Sequence, residues 1–433
     1  MKSIDKLKRL IGESIDIPNE STEKSKNIAD LRRRIDAVIS RGRERDRIAA
    51  RQKAKIADNL KEYVPGEEIE NDFGKFFLIS DIVRGSCRHG HRNIRDAFDF
   101  DMTAAAMLAN DPGINKFICS DALFLDTETT GLAGGTGTMA FLIGLGWFAE
   151  GHFHVRQILA RDFSEEKAAL AYLSGVAGQK KFLITFNGKA FDINLLATRF
   201  IMNRLASGLS LLPHLDLLHP SRRILGHRLL NSRLVTLEME ILGVEREGDI
   251  PGWEIPQRYF NWLKRRDPRL LLDIFQHNRL DVISMATLTA HLVEILTAQS
   301  MEVHACADDY LAAAHLLIHR HDLEGVEKIL KMFDEESCSK FSFMSRKKLA
   351  KLYKRTGRLN DAMQIWREMA ASRPGDFYAV SELAKWLEHR SGNCAEAKIL
   401  VEKALVEHDM FSDEEKASLL HRLNRLNGKV KID

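Results

Sequence analysis

Cysteine is scarce in this chain, and its few copies are scattered. The 433 residues include five cysteines with no Cys-x-x-Cys pair, namely Cys87, Cys119, Cys306, Cys338 and Cys394. An odd number of separated cysteines indicates neither a disulfide framework nor a zinc ribbon, so we expect reduced, buried thiols. We therefore expect a cytoplasmic protein.

Long hydrophobic runs are also lacking. The longest nearly apolar stretch, residues 139–149, is too short to span a bilayer, and the N-terminus has no apolar core of the signal-peptide type. With 45% hydrophobic residues the chain can still build real cores. The sequence predicts a soluble protein of several domains with no membrane partner.

Net charge is small overall but uneven along the chain. The formal net charge is +3, whereas residues 32–55 hold ten Lys or Arg against three acids. A basic segment of this kind can bind phosphate backbones, and a solvated helical leader fits equally well. We treat residues 1–72 as a basic, charged region, helical or partly disordered.

Residues 73–120 form a lead-in segment whose structure the sequence does not decide. It contains short apolar pieces and the sequence RHGHR at residues 88–92. His89 and His91 could ligate a metal, but no Cys or further His stands at a suitable spacing, which favours loop or surface positions.

Residues 121–300 have the pattern of an α/β domain. Strand signals at 122–126, 141–148 and 153–160 precede a helical pattern from Glu165 with Ser164 as its N-cap, and a fourth strand follows at 181–186. Three hairpin-linked strands, a helix and a crossover strand are what a ribonuclease H-like mixed sheet requires.

Residues 305–433 are helical in pattern and contain a weak repeat. Alanine, aromatic and glycine positions recur after 34 to 35 residues, at Ala350, Tyr353, Gly357, Ala362, Trp366 and Pro374, and then at Ala384, Leu387, Gly392, Ala397 and Val401. This period is typical of tetratricopeptide-like repeats, which stack as helical hairpins and could hold a protein partner.

Two acids stand at the end of one predicted strand. Residues 123–132 read LFLDTETTGL, in which an apolar run ends in Asp126 and Glu128. Strand side chains alternate with period 2, so both carboxylates point to the same face. Adjacent like charges are costly unless a cation lies between them, which favours a metal site over two solvated acids.

Two further segments supply acids and an imidazole. Asp192 begins a predicted helix after strand 181–186, and it lies near Asp126 if the two strands are neighbours. His277 and Asp281, four residues apart on another predicted helix, share a face. Four carboxylates and a base are the groups that two-metal phosphodiester hydrolysis needs, and oxygen ligands favour Mg²⁺ or Mn²⁺ over zinc.

The segments DTETTGL, NGKAFD and HNRLD occur in this order along the chain. In that order they resemble the three motifs of the DEDD (DnaQ-like) 3′–5′ exonuclease superfamily. With the helical repeats that follow, the chain resembles the YprB-type ribonuclease H-like proteins. The resemblance implies a ribonuclease H-like mixed sheet flanked by helices and an all-α repeat domain behind it.

The resemblance also implies roles for the acids. Asp126 would bridge two ions of Mg²⁺ or Mn²⁺, and Glu128 and Asp281 would complete the first site. Asp192 would hold the second ion through water. Residues beside the motifs would contact substrate, namely Thr129, Gly131, Leu132, Asn187, Lys189 and Arg233.

His277 would activate the attacking water, but its position departs from the family pattern. The histidine subgroup places this residue five before the last Asp, where the chain has Gln276. A spacing of four belongs to the tyrosine subgroup, so a histidine here occupies the tyrosine position. An i,i+4 ion pair with Asp281 is the alternative role.

One glycine-rich segment imitates a dinucleotide-binding loop. Residues 135–140 read GTGTMA, but a strand pattern follows where the pyrophosphate would need a helix N-terminus. NAD binding is therefore excluded, and the sequence contains no P-loop motif either.

These features predict a metal-dependent 3′–5′ exonuclease acting on single-stranded DNA or RNA. Two alternatives remain: a non-catalytic nucleic-acid-binding scaffold that keeps the fold, and a structure-specific endonuclease with the same metal chemistry.

Overall fold

A mixed sheet of seven strands lies at the centre of the structure. The computed structural model describes residues 60–131, 136–298, 305–333, 341–407 and 411–430. The basic segment 32–55 lies outside the described residues. The strands are β1 (Gly66–Asn71), β2 (Gly74–Arg84), β3 (Arg88–His89), β4 (Arg92–Asn93), β5 (Ala122–Thr129), β6 (Ala140–Ala149), β7 (His152–Leu159), β8 (Phe182–Thr185) and β9 (His214–Asp216).

Helices cover the sheet and make up the C-terminal region. They are α1 (Met102–Ala109), α2 (Glu166–Ala177), α3 (Asp192–Met202), α4 (Leu218–Ile224), α5 (Leu234–Leu237), α6 (Ile255–Arg265), α7 (Arg269–Thr297), α8 (Ala307–His319), α9 (Leu323–Lys331), α10 (Phe343–Arg355), α11 (Leu359–Ser372), α12 (Phe377–Trp386), α13 (Cys394–Glu407) and α14 (Asp413–Lys429). Wider helical turns extend α5 over Glu238–Leu242 and α12 over Leu387–Ser391.

The strand order in the large sheet is β1-β2-β7-β6-β5-β8-β9. Strands β5, β6 and β7 pair antiparallel, whereas β8 pairs parallel to β5 and β9 parallel to β8. This is the predicted arrangement of hairpin-linked strands followed by a crossover strand. Because β5 and β8 are parallel neighbours, their carboxyl ends meet at one edge of the sheet.

The central position of β5 follows from its sequence. Leu123, Phe124 and Leu125 are almost wholly buried, which agrees with the near-continuous apolar runs of strands covered on both faces. Helices lie on both sides of the sheet, with α2 packed on β2 and α7 packed on β5, β6 and β7.

The sheet extends beyond the segment that the sequence pattern indicated. Strands β1 and β2, from residues 66–84, join the edge through the pairing of β2 with β7, although we placed the start of the domain at residue 121. Their alternation is weak because residues 76–79 form one apolar block, so the period-2 signal does not stand out.

Helix α7 is long and apolar but belongs to the core. It has 29 residues and a window of mean hydropathy 1.4, which meets the length and composition of a membrane span. However, 78% of that window is buried against the rest of the protein. Helix α7 lies close to β6 at two glycines. A Cβ at Gly144 would collide with Asn278, and a Cβ at Gly146 would collide with Val282.

Two local predictions need correction. Ser164 is not an N-cap, because its backbone N–H is itself capped by Asp162 Oδ1 at 2.9 Å and α2 begins at Glu166. His89 is not a surface residue, because it is only 9% exposed and its Nε2 lies 2.7 Å from Ser284 Oγ of α7. Tertiary packing, which a single segment does not reveal, explains the second difference.

The C-terminal region is helical in its described residues, where α8 packs against α9 and α10 and the helices from α10 to α14 each pack against the next. The predicted repeat positions Ala350, Ala362, Ala384 and Ala397 are fully buried. Assignment of these helices to the tetratricopeptide class stays a proposal.

Candidate active site

Asp126 and Glu128 lie at the end of β5 on the face that α7 covers. Asp126 pairs with Gly144 of β6 and Glu128 with Leu142, so the two acids keep the period-2 spacing. Oδ2 of Asp126 accepts a hydrogen bond of 2.8 Å from Nδ2 of Asn278. Glu128 is 9% exposed. The strand therefore delivers two carboxylates to one place, that of Glu128 buried and that of Asp126 half-buried.

The pKa values of both acids show that negative charge is concentrated there. Burial and the carboxylates of Asp281 and Asp192 raise the pKa of Asp126 well above its usual range. Burial, followed by Asp126, Asp281 and Asp192, does the same to the pKa of Glu128. The raised pKa values of Asp126 and Glu128 thus show that the fold places the four predicted acids close to one another.

Asp192 reaches this cluster from the first residue of α3. The hydroxyl group of Thr127 donates a short hydrogen bond to its Oδ1. Burial raises the pKa of Asp192 to about 6, although the Thr127 hydroxyl acts in the opposite direction. The crossover from β8 explains this placement, because β8 ends beside β5 and the chain then turns into α3.

The loop between β8 and α3 is held by Asp216, at the end of β9. Its Oδ1 accepts from the backbone N–H of Asn187 at 2.7 Å, and its Oδ2 accepts from that of Lys189 at 3.0 Å. Asn187 has a φ of 65°, a left-handed conformation that asparagine tolerates. Asp216 is therefore a positioning residue for the loop that leads to Asp192.

Arg246 is the main feature of the site that the sequence did not indicate. Its guanidinium group forms an ion pair with Oδ1 of Asp281 and a two-bond contact with Glu238, at 2.6 and 2.5 Å. The arginine side chain is 3% exposed and that of Glu238 is fully buried. A buried cation thus lies directly against one of the four acids.

His277 is oriented by a further acid, Asp249. Its Nδ1 lies 2.8 Å from Oδ1 of Asp249 and 3.3 Å from Nη1 of Arg246. The carboxylate accepts, so we assign the proton to Nδ1, which leaves the lone pair on Nε2. Nε2 lies 3.7 Å from Oδ2 of Asp281, as expected for residues four apart on one helix.

Asn278 links the acids to the interior. It is fully buried, and its Oδ1 accepts a hydrogen bond of 2.9 Å from Nε2 of Gln157 while its Nδ2 binds Asp126. A Cβ at Gly144 would lie 2.3 Å from Oδ1 of Asn278, so glycine is required there. Asn278 could have been found from the sequence, because it directly follows His277 in the HNRLD segment.

Four of the predicted substrate-binding residues lie at or after the carboxyl ends of β5 and β8. Thr129 and Gly131 form a turn after β5, in which the Thr129 hydroxyl donates to the Gly131 carbonyl at 2.8 Å. Asn187 and exposed Lys189 lie in the loop before Asp192. Arg233 is exposed ahead of α5, and Leu132 lies outside the described residues.

The chemistry of the donor set fits divalent cations of the magnesium type. Asp126, Glu128, Asp192 and Asp281 offer carboxylate oxygens alone, and burial with mutual repulsion raises the pKa of the first two. A bound cation would relieve that repulsion. Three of the acids also bind protein groups: Asp126 binds Asn278, Asp192 binds Thr127, and Asp281 binds Arg246.

Comparison with known proteins agrees with this fold. The model of the RNase H superfamily matches residues 123–293, a range that contains all four acids and His277. The chain belongs to the RNase H superfamily, and it therefore has the fold of a nucleic-acid hydrolase.

A relative over most of the chain is a bacterial protein. The chain is 32% identical over 323 residues to the uncharacterized protein YprB from Bacillus subtilis (strain 168). The aligned residues make up 73% of this chain and 76% of that protein. The similarity therefore extends well beyond the matched superfamily domain.

Proposed function

We propose that the protein is a metal-dependent 3′–5′ exonuclease that hydrolyses single-stranded DNA or RNA. The observation that carries the proposal is the convergence of Asp126 and Glu128, on the central strand, with Asp192 and Asp281, on two different helices. The raised pKa values of Asp126 and Glu128 support it, because such clusters are typical of functional sites.

The four acids would hold two ions of Mg²⁺ or Mn²⁺, which would stabilise charge on the attacking and leaving oxygens. In this proposal His277 is the base, since its Nε2 carries a lone pair and faces the acid cluster. Asp249 keeps the imidazole in that tautomer through the 2.8 Å hydrogen bond to Nδ1.

Groups near the cluster suit the end of a nucleic acid strand. Phe191, directly before Asp192, is 57% exposed and offers a surface for base stacking. Lys189 and Arg233 could neutralise phosphates, and such contacts position a substrate without reading its sequence. A terminal nucleotide between them would place its phosphate beside the acids.

The test is cleavage of 5′-labelled single-stranded DNA and RNA with Mn²⁺. Stepwise shortening is expected from the wild type and none from Asp126→Asn, which keeps the side-chain shape. Asp273→Asn is the matched control, because Asp273 lies on α7 with its side chain 46% exposed and pairs with Arg258. Binding of single-stranded DNA or RNA without any metal-dependent cleavage would favour the scaffold alternative. Cleavage of a circular single strand would favour the endonuclease alternative.

Asp249→Asn tests the role assigned to His277. The amide can present its NH₂ group to Nδ1 and so favour the other tautomer, which would lower kcat by about 10²-fold or more with little change in KM. His277→Ala should be as impaired, and the double variant no worse than either one. Unchanged activity in His277→Ala would remove this residue from the mechanism.

The remaining expectations belong to the same proposal. The C-terminal helices would act as tetratricopeptide-like repeats that bind a protein partner or extend the substrate path. A cytoplasmic location is supported by the free thiols of Cys87, Cys119, Cys306 and Cys394.

A further inference from the structure

Three side chains of different chemistry converge away from the acid cluster. His227 lies in the turn after α4, whereas Cys306 and Asp309 lie at the start of α8. Nε2 of His227 is 3.6 Å from Sγ of Cys306 and 3.4 Å from Oδ1 of Asp309. Their potential ligand atoms all lie within 4.8 Å of one another.

The ring of His227 directs its Nε2 at Cys306 and Asp309. Its Nδ1 lies 3.1 Å from the carbonyl oxygen of Ile224, which can only accept a hydrogen bond. Nδ1 therefore carries a proton, and Nε2 is the ring nitrogen that can bind a cation through its lone pair. Metal-binding histidines are typically fixed by such a hydrogen bond to a carbonyl group.

Asp309 supplies a buried oxygen that the described part of the chain leaves without a hydrogen bond. The residue is fully buried, and its Oδ2 accepts from the backbone N–H of Cys306 at 2.8 Å and from Nη2 of Arg228 at 2.8 Å. Oδ1, by contrast, has no hydrogen-bond partner among the residues that the structure describes. Leaving such an oxygen unpaired is costly, and a cation between it and Nε2 of His227 would satisfy both groups.

We propose that His227, Cys306 and Asp309 form a Zn²⁺ site. One nitrogen, one sulfur and one oxygen ligand are the donors that zinc accepts in proteins, and the sulfur disfavours Mg²⁺ and Mn²⁺. Cys306 is exposed, so an ion can enter from solvent and water can complete a tetrahedral shell. The donor set thus differs from that of the carboxylate cluster.

The site would link two parts of the fold. His227 follows α4 of the α/β domain, and α8 is the first helix of the C-terminal region. Helix α8 packs against both α4 and α7. A zinc ion here would fix the C-terminal helices on the domain and add its binding free energy to the stability of that junction.

The experiment measures zinc content and affinity in the full chain. After removal of metal with a chelator, the Asp126→Asn protein is titrated with Zn²⁺ against a chromophoric chelator, so that the carboxylate cluster is already impaired. One zinc ion per chain is expected. Substitution with Co²⁺ should give a thiolate charge-transfer band in the absorption spectrum, which the all-oxygen cluster cannot produce.

Matched variants decide whether the three residues are the ligands. Cys306→Ser and His227→Gln should weaken zinc binding by at least roughly 100-fold, since even outer partners of ligands are worth 10–100-fold. Cys394→Ser and His389→Gln alter residues elsewhere and should leave it unchanged. Chelation should lower the Tm of the wild type but not that of Cys306→Ser.

The proposal is overturned if the wild type takes up no zinc at micromolar concentrations, or if the cobalt spectrum survives in Cys306→Ser. The first result would mean that His227 is protonated and forms an ion pair with Asp309. Because Cys306 is exposed, its serine variant is expected to fold, and its circular dichroism checks this. Nuclease activity is not part of the readout, so failure of the proposed function would not affect this result.

Discussion

The guanidinium group of Arg246 forms an ion pair with the carboxylate of Asp281 inside the acid cluster. One acid of the proposed metal site is thus already paired with a buried cation. Burial alone would lower the pKa of Arg246, but its bonds to Glu238 and the charge of Asp281 raise it above the usual range. The arginine therefore stays charged, and it offsets part of the repulsion among the acids.

Removal of this arginine should be strongly destabilising. Arg246→Met leaves the fully buried Glu238 without its two-bond partner, and a buried charge without a partner typically costs about 3–5 kcal/mol. Urea unfolding of the metal-free protein measures the loss. The double variant Arg246→Met/Glu238→Leu should recover most of it, because both charges are then gone.

Arg258→Met is the matched control for this loss. Arg258 is 33% exposed and pairs with Asp273, which is 46% exposed, so its loss should cost less than about 1 kcal/mol. If Arg246→Met were as mild as the control, the buried ion pair would contribute little to folding.

Asn278 should affect metal affinity more than folding. Asn278→Ala removes the amide that holds Oδ2 of Asp126, and outer partners of metal ligands are worth about 10–100-fold in affinity or activity. We expect the Mn²⁺ concentration for half-maximal cleavage to rise by that factor. Gln257→Ala, on the exposed surface of α6, is the control. An unchanged Mn²⁺ dependence would contradict the role.

The sequence predicted the acids because their positions follow from local rules. Period 2 places Asp126 and Glu128 on one face, and period 3.6 places His277 beside Asp281. Arg246 and Asp249 could not be found in this way, since they lie in an irregular segment and reach the site only through tertiary packing. Asn278 and Gly144 were visible in the sequence, but their contact joins a helix and a strand 134 residues apart, as the numbering shows.

Asp216 should be required for the shape of the loop before Asp192. It is 4% exposed and accepts hydrogen bonds from three backbone N–H groups, those of Asn187, Lys189 and Leu218. Asp216→Ala leaves these donors without an acceptor, which should cost about 2–4 kcal/mol and lower kcat. Urea unfolding and cleavage kinetics measure both effects.

Asp216→Asn separates shape from charge in the same position. It keeps one acceptor oxygen and should recover part of the stability lost in the alanine variant. Asp111 is a useful comparison, because its Oδ1 also accepts from a backbone N–H, that of Gly113 at 2.9 Å, but in the turn after α1, a segment that carries none of the four acids. Asp111→Ala should therefore leave kcat unchanged, and an equal loss of kcat in both variants would contradict a specific role for Asp216.

Two buried histidines should make folding weaker in mild acid. Burial lowers the pKa of His89 to about 4 and that of His214 to about 4, from an ordinary value near 6.5. As the pH falls through about 6.5, the unfolded chain binds protons at these residues while the folded chain does not, so stability is lost until about pH 4. Each histidine can contribute at most roughly 3 kcal/mol to this loss.

Urea unfolding at about pH 7 and about pH 5 measures this loss of stability, and His89→Gln and His214→Gln should each flatten the dependence on pH. Because Asp192, whose pKa is raised to about 6, also titrates in this range, the comparison is between the slopes of variant and wild type. Equal slopes in all three proteins would show that neither histidine is neutral in the folded state.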